Sequence, residues 1–109
     1  NGNPMTIPMN DQLHFKWALA AAKQGDVGGQ LNTAECYENG WGVEQNDESA
    51  FEWWMKAAEQ EDDIAQYYIG EYFENGTGTD VDLFQALFWY RKAAAQGDQE
   101  AMEAVERLS

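Results

Sequence analysis

One phrase is written three times along this chain of 109 residues. WALAAAKQGD occupies 17–26, WWMKAAEQED 53–62 and WYRKAAAQGD 89–98, so the copies stand 36 residues apart. The agreement runs beyond the phrase without a gap. Trp17, Trp53 and Trp89 superpose, as do Gln24, Gln60 and Gln96, then Asp26, Asp62 and Asp98. Glu38-Asn39-Gly40-x-Gly42 falls on Glu74-Asn75-Gly76-x-Gly78. A fixed period in this range marks a solenoid, in which a short unit that cannot bury its apolar face alone is covered by its neighbour.

Each period divides into two helices. Over 47–60, Ala50, Trp53, Trp54, Ala57 and Ala58 recur at helical spacing and make one apolar stripe. The stretch 83–96 repeats it with Ala86, Trp89, Tyr90, Ala93 and Ala94. Asn10, Asn46 and Asp82 precede these helices as N-caps, where a side-chain oxygen accepts an orphan backbone N–H, and Gln85 would complete a capping box with Asp82. Gly25 and Gly97 suit left-handed C-caps; the middle copy has Glu61 there, a strain of about 1 kcal/mol. The alternate helices start after Asp26, Asp62 and Asp98. Ala65, Ile69, Gly70 and Phe73 form the buried side of 63–75. Gly29, Thr33, Ala34 and Tyr37 form a weaker one on 27–39, where Gly28 and Gly29 predict a loose start. Gly40 and Gly76 end these helices, and seven-residue loops follow. The order is helices 11–24, 27–39, 47–60, 63–75, 83–96 and 99–108: two full periods with a half-period at each end. The predicted fold is all-α, a solenoid of antiparallel helix hairpins with about six helices, in a single domain over 11–109 behind an N-terminal tail at 1–10. The stretch before Met5 reads as an appended remnant, with Met5 as the natural start.

Twenty acids against six bases give a net charge of −14. Such a surface repels nucleic-acid backbones and anionic membranes and favours basic proteins, cationic peptides or metal ions. No apolar run approaches the ~20 residues of a membrane span. The single cysteine, Cys36, excludes an internal disulfide and gives no sign of an oxidising compartment, which leans the reading toward the cytoplasm. A removed signal peptide would move it to the periplasm or outside the cell.

The motif resembles the Sel-one-like repeat, a branch of the tetratricopeptide-like α-solenoids. It is carried by Ala65, Ile69-Gly70, Phe73, Gly76, Gly78, Asp82, Ala86, Trp89-Tyr90, Lys92-Ala93-Ala94 and Gln96-Gly97. The preceding unit matches through Tyr37, Gly40, Gly42-Val43, Ala50, Trp53, Lys56-Ala57-Ala58 and Gln60, and departs at Gly29, Thr33-Ala34, Asn46 and Glu61. The resemblance implies a right-handed superhelix of hairpins that binds other proteins. Bacterial members are often tied to secretion, signalling or protection against toxins. Cysteine-rich relatives lock each hairpin with a disulfide, and this chain lacks those cysteines.

By the same resemblance the first helix of each pair lines the concave face, here 27–39 and 63–75. Ile64, Tyr67, Glu71 and Glu74 form one stripe there, and Leu31, Glu35 and Glu38 fall in the same register. Glu100, Glu103 and Arg107 continue the row. Lys16, Lys23, Lys56, Arg91 and Lys92 all lie on the other set of helices. A surface of one sign focuses its field on a cationic partner, and Tyr67 and Leu31 add apolar contact. Any single glutamate here is more simply a helix former on a wet face; the segregation of the row is what points to a partner. Trp41, in a loop between two glycines, is a further anchor candidate or a lid over its hairpin.

No catalytic set emerges. His14, the lone histidine, falls in register with Ala50 and Ala86 and reads as a half-exposed capping residue. Cys36 reads as a buried structural thiol, and no second histidine or cysteine joins it in a transition-metal site. Asp80 and Asp82 lack the ligand spacing of a calcium loop. NGWG and NGTG lack the lysine and strand of a phosphate-binding loop. The expected role is a non-catalytic interaction module without cofactor or metal, a monomer or weak oligomer, that binds a basic protein or peptide. A bacterial immunity or adaptor protein is one version. The alternative is a fragment or cap of a longer solenoid that oligomerises end to end through 11–24 and 99–108; a hydrolase is the remote third.

Overall fold

The computed structural model describes residues 10–109; residues 1–9, with the readings attached to Pro4, Met5 and Pro8, lie outside it. The described residues are all-helical: α1 (Asp11–Lys23), α2 (Val27–Asn39), α3 (Asp47–Glu59), α4 (Asp63–Asn75), α5 (Leu83–Ala95) and α6 (Gln99–Leu108). They form an elongated helical solenoid of 54 × 25 × 23 Å. Each helix packs on the next in chain order. The odd helices end one residue earlier than the periodicity predicts, because Gln24, Gln60 and Gln96 take up cap geometry.

All six N-caps fall on the residues read from the sequence: Asn10, Asp26, Asn46, Asp62, Asp82 and Asp98 each accept a backbone N–H from the first turn. Asp82 accepts from the Gln85 amide at 3.0 Å. The return half of the capping box is replaced, because the Asp82 amide donates to the Phe73 carbonyl at 2.9 Å. Asn46 repeats this with Tyr37, so the same bond closes both seven-residue loops.

The core is built from small residues around a few large ones. Ala50, Ala57, Ala58, Ala65, Ala86, Ala93 and Ala101 are fully buried, and Trp54, Tyr90 and Ile69 fill the space between them. Trp53 and Trp89 pack against the edge of the central cluster. This composition draws the helices close. A Cβ on Gly70 would stand 2.6 Å from the Tyr90 ring, and one on Gly29 only 2.6 Å from the Ala22 amide nitrogen. Gly29 therefore seats α2 against α1. The loose start expected from Gly28 and Gly29 is absent, since α2 runs regularly from Val27 behind its Asp26 cap. Thr33, at the place of Ile69, is buried with its hydroxyl unpaired among the described residues, which costs α2 part of the gain from burying that position.

A glutamine chain ties successive hairpins together. Gln30 and Gln66, 36 residues apart, are both buried. The Gln30 amide donates to the Ala22 carbonyl at the end of α1, while its oxygen accepts from Gln60 Nε2 at 2.9 Å. Gln66 repeats this one period later with the Ala58 carbonyl and Gln96, at 3.3 and 3.0 Å. Gln60 and Gln96 also donate to the carbonyls of Gly25 and Glu61, the turn residues of the preceding copy. Each buried amide is thus satisfied across a junction, as burial of polar groups requires.

Glu61 stands at φ 70°, where the other two copies have Gly25 at 91° and Gly97 at 98°. The strain expected from the sequence is therefore present. Glu61→Gly should stabilise the chain by about 0.5–1 kcal/mol, the steric relief being partly offset by glycine's larger unfolded-state entropy. Urea unfolding checks it, and a loss of stability would mean that the Glu61 side chain contributes more through Gln66 and Lys92, at 3.4 and 3.8 Å, than its backbone costs.

Candidate partner-binding face

Glu38 on α2 accepts the Tyr72 hydroxyl of α4 at 2.7 Å. Glu74 on α4 accepts both guanidinium nitrogens of Arg107 on α6, Nη2 at 3.2 Å. These bonds hold α2, α4 and α6 side by side in one layer. The acids expected on this layer divide into two kinds.

Glu38 and Glu74 are built into the fold. Besides Tyr72, Glu38 accepts the Trp54 indole N–H at 3.1 Å. One period on, Glu74 accepts the Tyr90 hydroxyl at 2.7 Å. In both repeats the carboxylate satisfies the polar atom of the large core residue 16 positions later, which would otherwise be buried unpaired. Arg107 holds the Glu74 carboxyl below the usual range, with the Tyr90 hydroxyl assisting, and burial works in opposition. The Tyr72 and Tyr90 phenols are pushed far up by burial and by these carboxylates. The sequence reading placed Glu38 and Glu74 in the acidic row that Arg107 ends; the structure gives both an internal partner, and for Glu74 one of these partners is Arg107 itself.

Glu35, Glu71, Glu100 and Glu103 are the other kind. Glu35, Glu100 and Glu103 are exposed. Glu71 is half-buried, and its carboxyl is raised by burial and then by Glu38, Glu100 and Glu74, while the Tyr67 hydroxyl, donating at 3.0 Å, opposes the rise. Tyr68 feels the same crowd: burial first, then Glu38, Glu71, Glu35 and Glu100 raise its phenol. Acids from three alternate helices, α2, α4 and α6, therefore act on one patch.

The apolar members are only partly free. Tyr67 packs against the Ala86–Tyr90 cluster, its ring 5.6 Å from Tyr90. Leu31 is partly buried against the central cluster. Ile64 is about half exposed, and Trp41 is 45% exposed in the α2–α3 loop. Tyr68, which the sequence reading passed over, lies half-buried on α4 and stacks on Trp54 at 4.4 Å. Its signal was its place beside Tyr67.

Of the residues weighed for chemistry, Cys36 is fully buried, and burial pushes its thiol up. His14 is half-exposed in a shallow groove with Trp17, Asp26 and Gly29. Among the described residues no helix is long and apolar enough to cross a membrane.

The Sel1 repeat pattern matches residues 6–26, 27–62 and 63–98. A Sel1 repeat protein from Oxalobacter formigenes is 38% identical, with a TM-score of 0.85 over 88% of this chain and 40% of its own. The structure of c5321, a protective antigen present in uropathogenic Escherichia coli strains and displaying an SLR fold, is 34% identical, with a TM-score of 0.87 over 91% of this chain and 21% of its own. This chain thus spans less than half the length of both. Helicobacter pylori cysteine-rich protein B shares the fold at 24% identity and a TM-score of 0.82, over 87% of this chain and 71% of its own. No curated protein matches. Sel1-repeat proteins are in general protein-interaction modules on a non-catalytic repeat scaffold. With 36-residue hairpins, the glycine and cap positions of the motif, and the pattern matched over three successive units, this chain belongs to the Sel1 repeat family.

Proposed function

We propose that this chain is a non-catalytic binding module that holds a basic protein or peptide against the layer formed by α2, α4 and α6, with Glu35, Glu71 and Glu103 supplying charge and Leu31, Trp41 and Tyr67 supplying apolar contact. Glu38 and Glu74 belong to the same face but act chiefly by holding the helices that carry it. The observation that carries the reading is that Glu71, a half-buried carboxyl, is raised by burial and then by Glu38, Glu100 and Glu74, so acids of α2, α4 and α6 lie within electrostatic reach of one another. α2 and α4 carry no lysine or arginine, and the one base of α6, Arg107, is paired with Glu74. A cation placed there relieves the mutual repulsion, a gain a neutral ligand lacks. An adaptor or immunity role in a bacterium is one form this activity would take.

A fluorescent lysine-rich peptide should bind, and its affinity should fall at least tenfold between about 0.05 and 0.5 M salt as exposed charges are screened. Glu35→Gln/Glu71→Gln should weaken it with the fold retained by circular dichroism. Binding that ignores both salt and these substitutions would defeat the reading.

One observation favours a second reading, part of a longer solenoid or an end-to-end oligomer. Trp17 is 68% exposed, whereas its equivalents Trp53 and Trp89 pack on the central cluster. A preceding hairpin or a second copy stacked on α1 would cover it. Light scattering that shows concentration-dependent association, lost in Trp17→Gln, would support the oligomeric form of this reading.

A further inference from the structure

Helix α5 departs from its own repeat on the side away from the core. A groove of about 310 Å³ runs along it, lined by Phe84, Leu87, Phe88, Arg91, Lys92 and Ala95. Phe84 is 83% exposed and Phe88 48%. Shifted back one period, these two phenylalanines fall on Glu48 and Glu52, and Ala95 falls on Glu59. All three of those glutamates are exposed even though α4 and α5 follow α3. A further hairpin added in the ordinary way would therefore leave Phe84 and Phe88 in water. Their apolar character calls for a different cover.

Charge points the same way. α5 is the one helix of the six described that contains no aspartate or glutamate, and Arg91 stands where α3 has Met55. Lys92 lies 5.7 Å from the Phe88 ring centroid, over its face, and 3.8 Å from exposed Glu61, so that Arg91 is the stronger attraction for an added acid. This is an apolar strip closed at one end by two cations, on a chain whose net charge is −14. Phe84, Leu87, Phe88, Arg91 and Ala95 follow the i, i+3, i+4, i+7, i+11 course of a helical ridge, about 16 Å long, which fits the side of a second helix.

We propose that the outer face of α5 is a second docking surface, for an amphipathic helix of a partner protein that sets acidic residues against Arg91 and Lys92 and apolar ones against Phe84, Leu87 and Phe88. Such helix-in-groove recognition reads anchors at this spacing. The like charge of two copies opposes self-association at this face, whereas beyond roughly 8 Å the overall charge is screened at physiological salt and the local pair of cations sets the preference. This surface is independent of the acidic layer and selects the opposite charge.

The test uses two labelled helical peptides of about four turns, leucines at i, i+3, i+4 and i+7 on both, with glutamate elsewhere on one and lysine elsewhere on the other. The glutamate peptide should bind the intact chain, and Phe84→Glu/Phe88→Glu, which installs the residues of the preceding repeat at exposed positions, should weaken it about tenfold or more, as loss of two aromatic anchors does. Arg91→Met should weaken it further. The lysine peptide, read on the same double variant, should keep its affinity because it reports the acidic layer. Glutamate-peptide affinity unchanged by the double variant would overturn the proposal. So would a concentration-dependent dimer abolished by that variant, which would make the occupant a second copy. Circular dichroism confirms that the variants fold, and failure of the lysine peptide alone would count against the acidic layer and leave this surface standing.

Discussion

Trp54→Ala is expected to remove about 3–5 kcal/mol of folding free energy, a large share of the roughly 5–15 kcal/mol that holds a domain of this size together. Trp54 is 1% exposed and shares its cluster with Ala34, Ala50, Ala57, Ala58, Ala65, Ile69 and Tyr72. The alanines have no side chain that can swing into the vacated space, so only the few larger neighbours can relax into it and much of the cavity stays open. The substitution also removes the stack on Tyr68 and the indole bond to Glu38. Trp54→Phe keeps a ring in place and should lose about 1–2 kcal/mol, mostly through the missing N–H and the smaller volume. Urea unfolding followed by circular dichroism separates the two. If the alanine variant were no less stable than the phenylalanine one, Trp54 would not be the centre of the packing.

The second large effect belongs to an acid. Glu38→Ala should cost about 2–4 kcal/mol, because the Trp54 indole and the Tyr72 hydroxyl would both be left without an acceptor in the interior. Tyr72 is only 5% exposed, so water does not readily replace the lost carboxylate. Glu38→Gln, which keeps one oxygen, should cost less. Glu35→Ala, one turn away and exposed, should stay within about 0.5 kcal/mol of the parent. Equal effects at 35 and 38 would remove the structural role assigned to Glu38. A double-mutant cycle with Tyr72→Phe isolates the shared bond. The contrast also governs how binding data are read: a Glu38 variant that fails to bind has first to be shown to fold.

The difference between these two glutamates shows what the residue order discloses. The caps, loop lengths and helix limits were legible because each depends on residues within a few positions, as Asp62 with the Ala65 amide. The period was legible because the units repeat. The division of labour within the acidic row was not. Glu35 and Glu38 look alike in sequence, and what separates them is contact with residues 16 and 34 positions away. One clue was available: Glu38 with Trp54 and Glu74 with Tyr90 recur at the same spacing, each pairing an acid with a large residue that carries one polar atom. The glutamine chain left a similar trace in the 36-residue match of Gln30 and Gln66. Amides amid apolar neighbours read as surface until their partners are seen. Gly29 was legible as small but not as a seat, because the close approach of Ala22 is a property of packing.

The sameness of the glutamine couplings has an evolutionary corollary. The contacts that join Gln30 to Gln60 recur, atom for atom in kind, between Gln66 and Gln96. A hairpin duplicated or deleted in frame therefore meets a compatible edge on both sides, with no fresh chemistry to invent. Lineages of such a molecule can change the reach of their binding surface by dosage, while point substitutions on its outward positions, such as those that set α5 apart, diversify what each copy recognises.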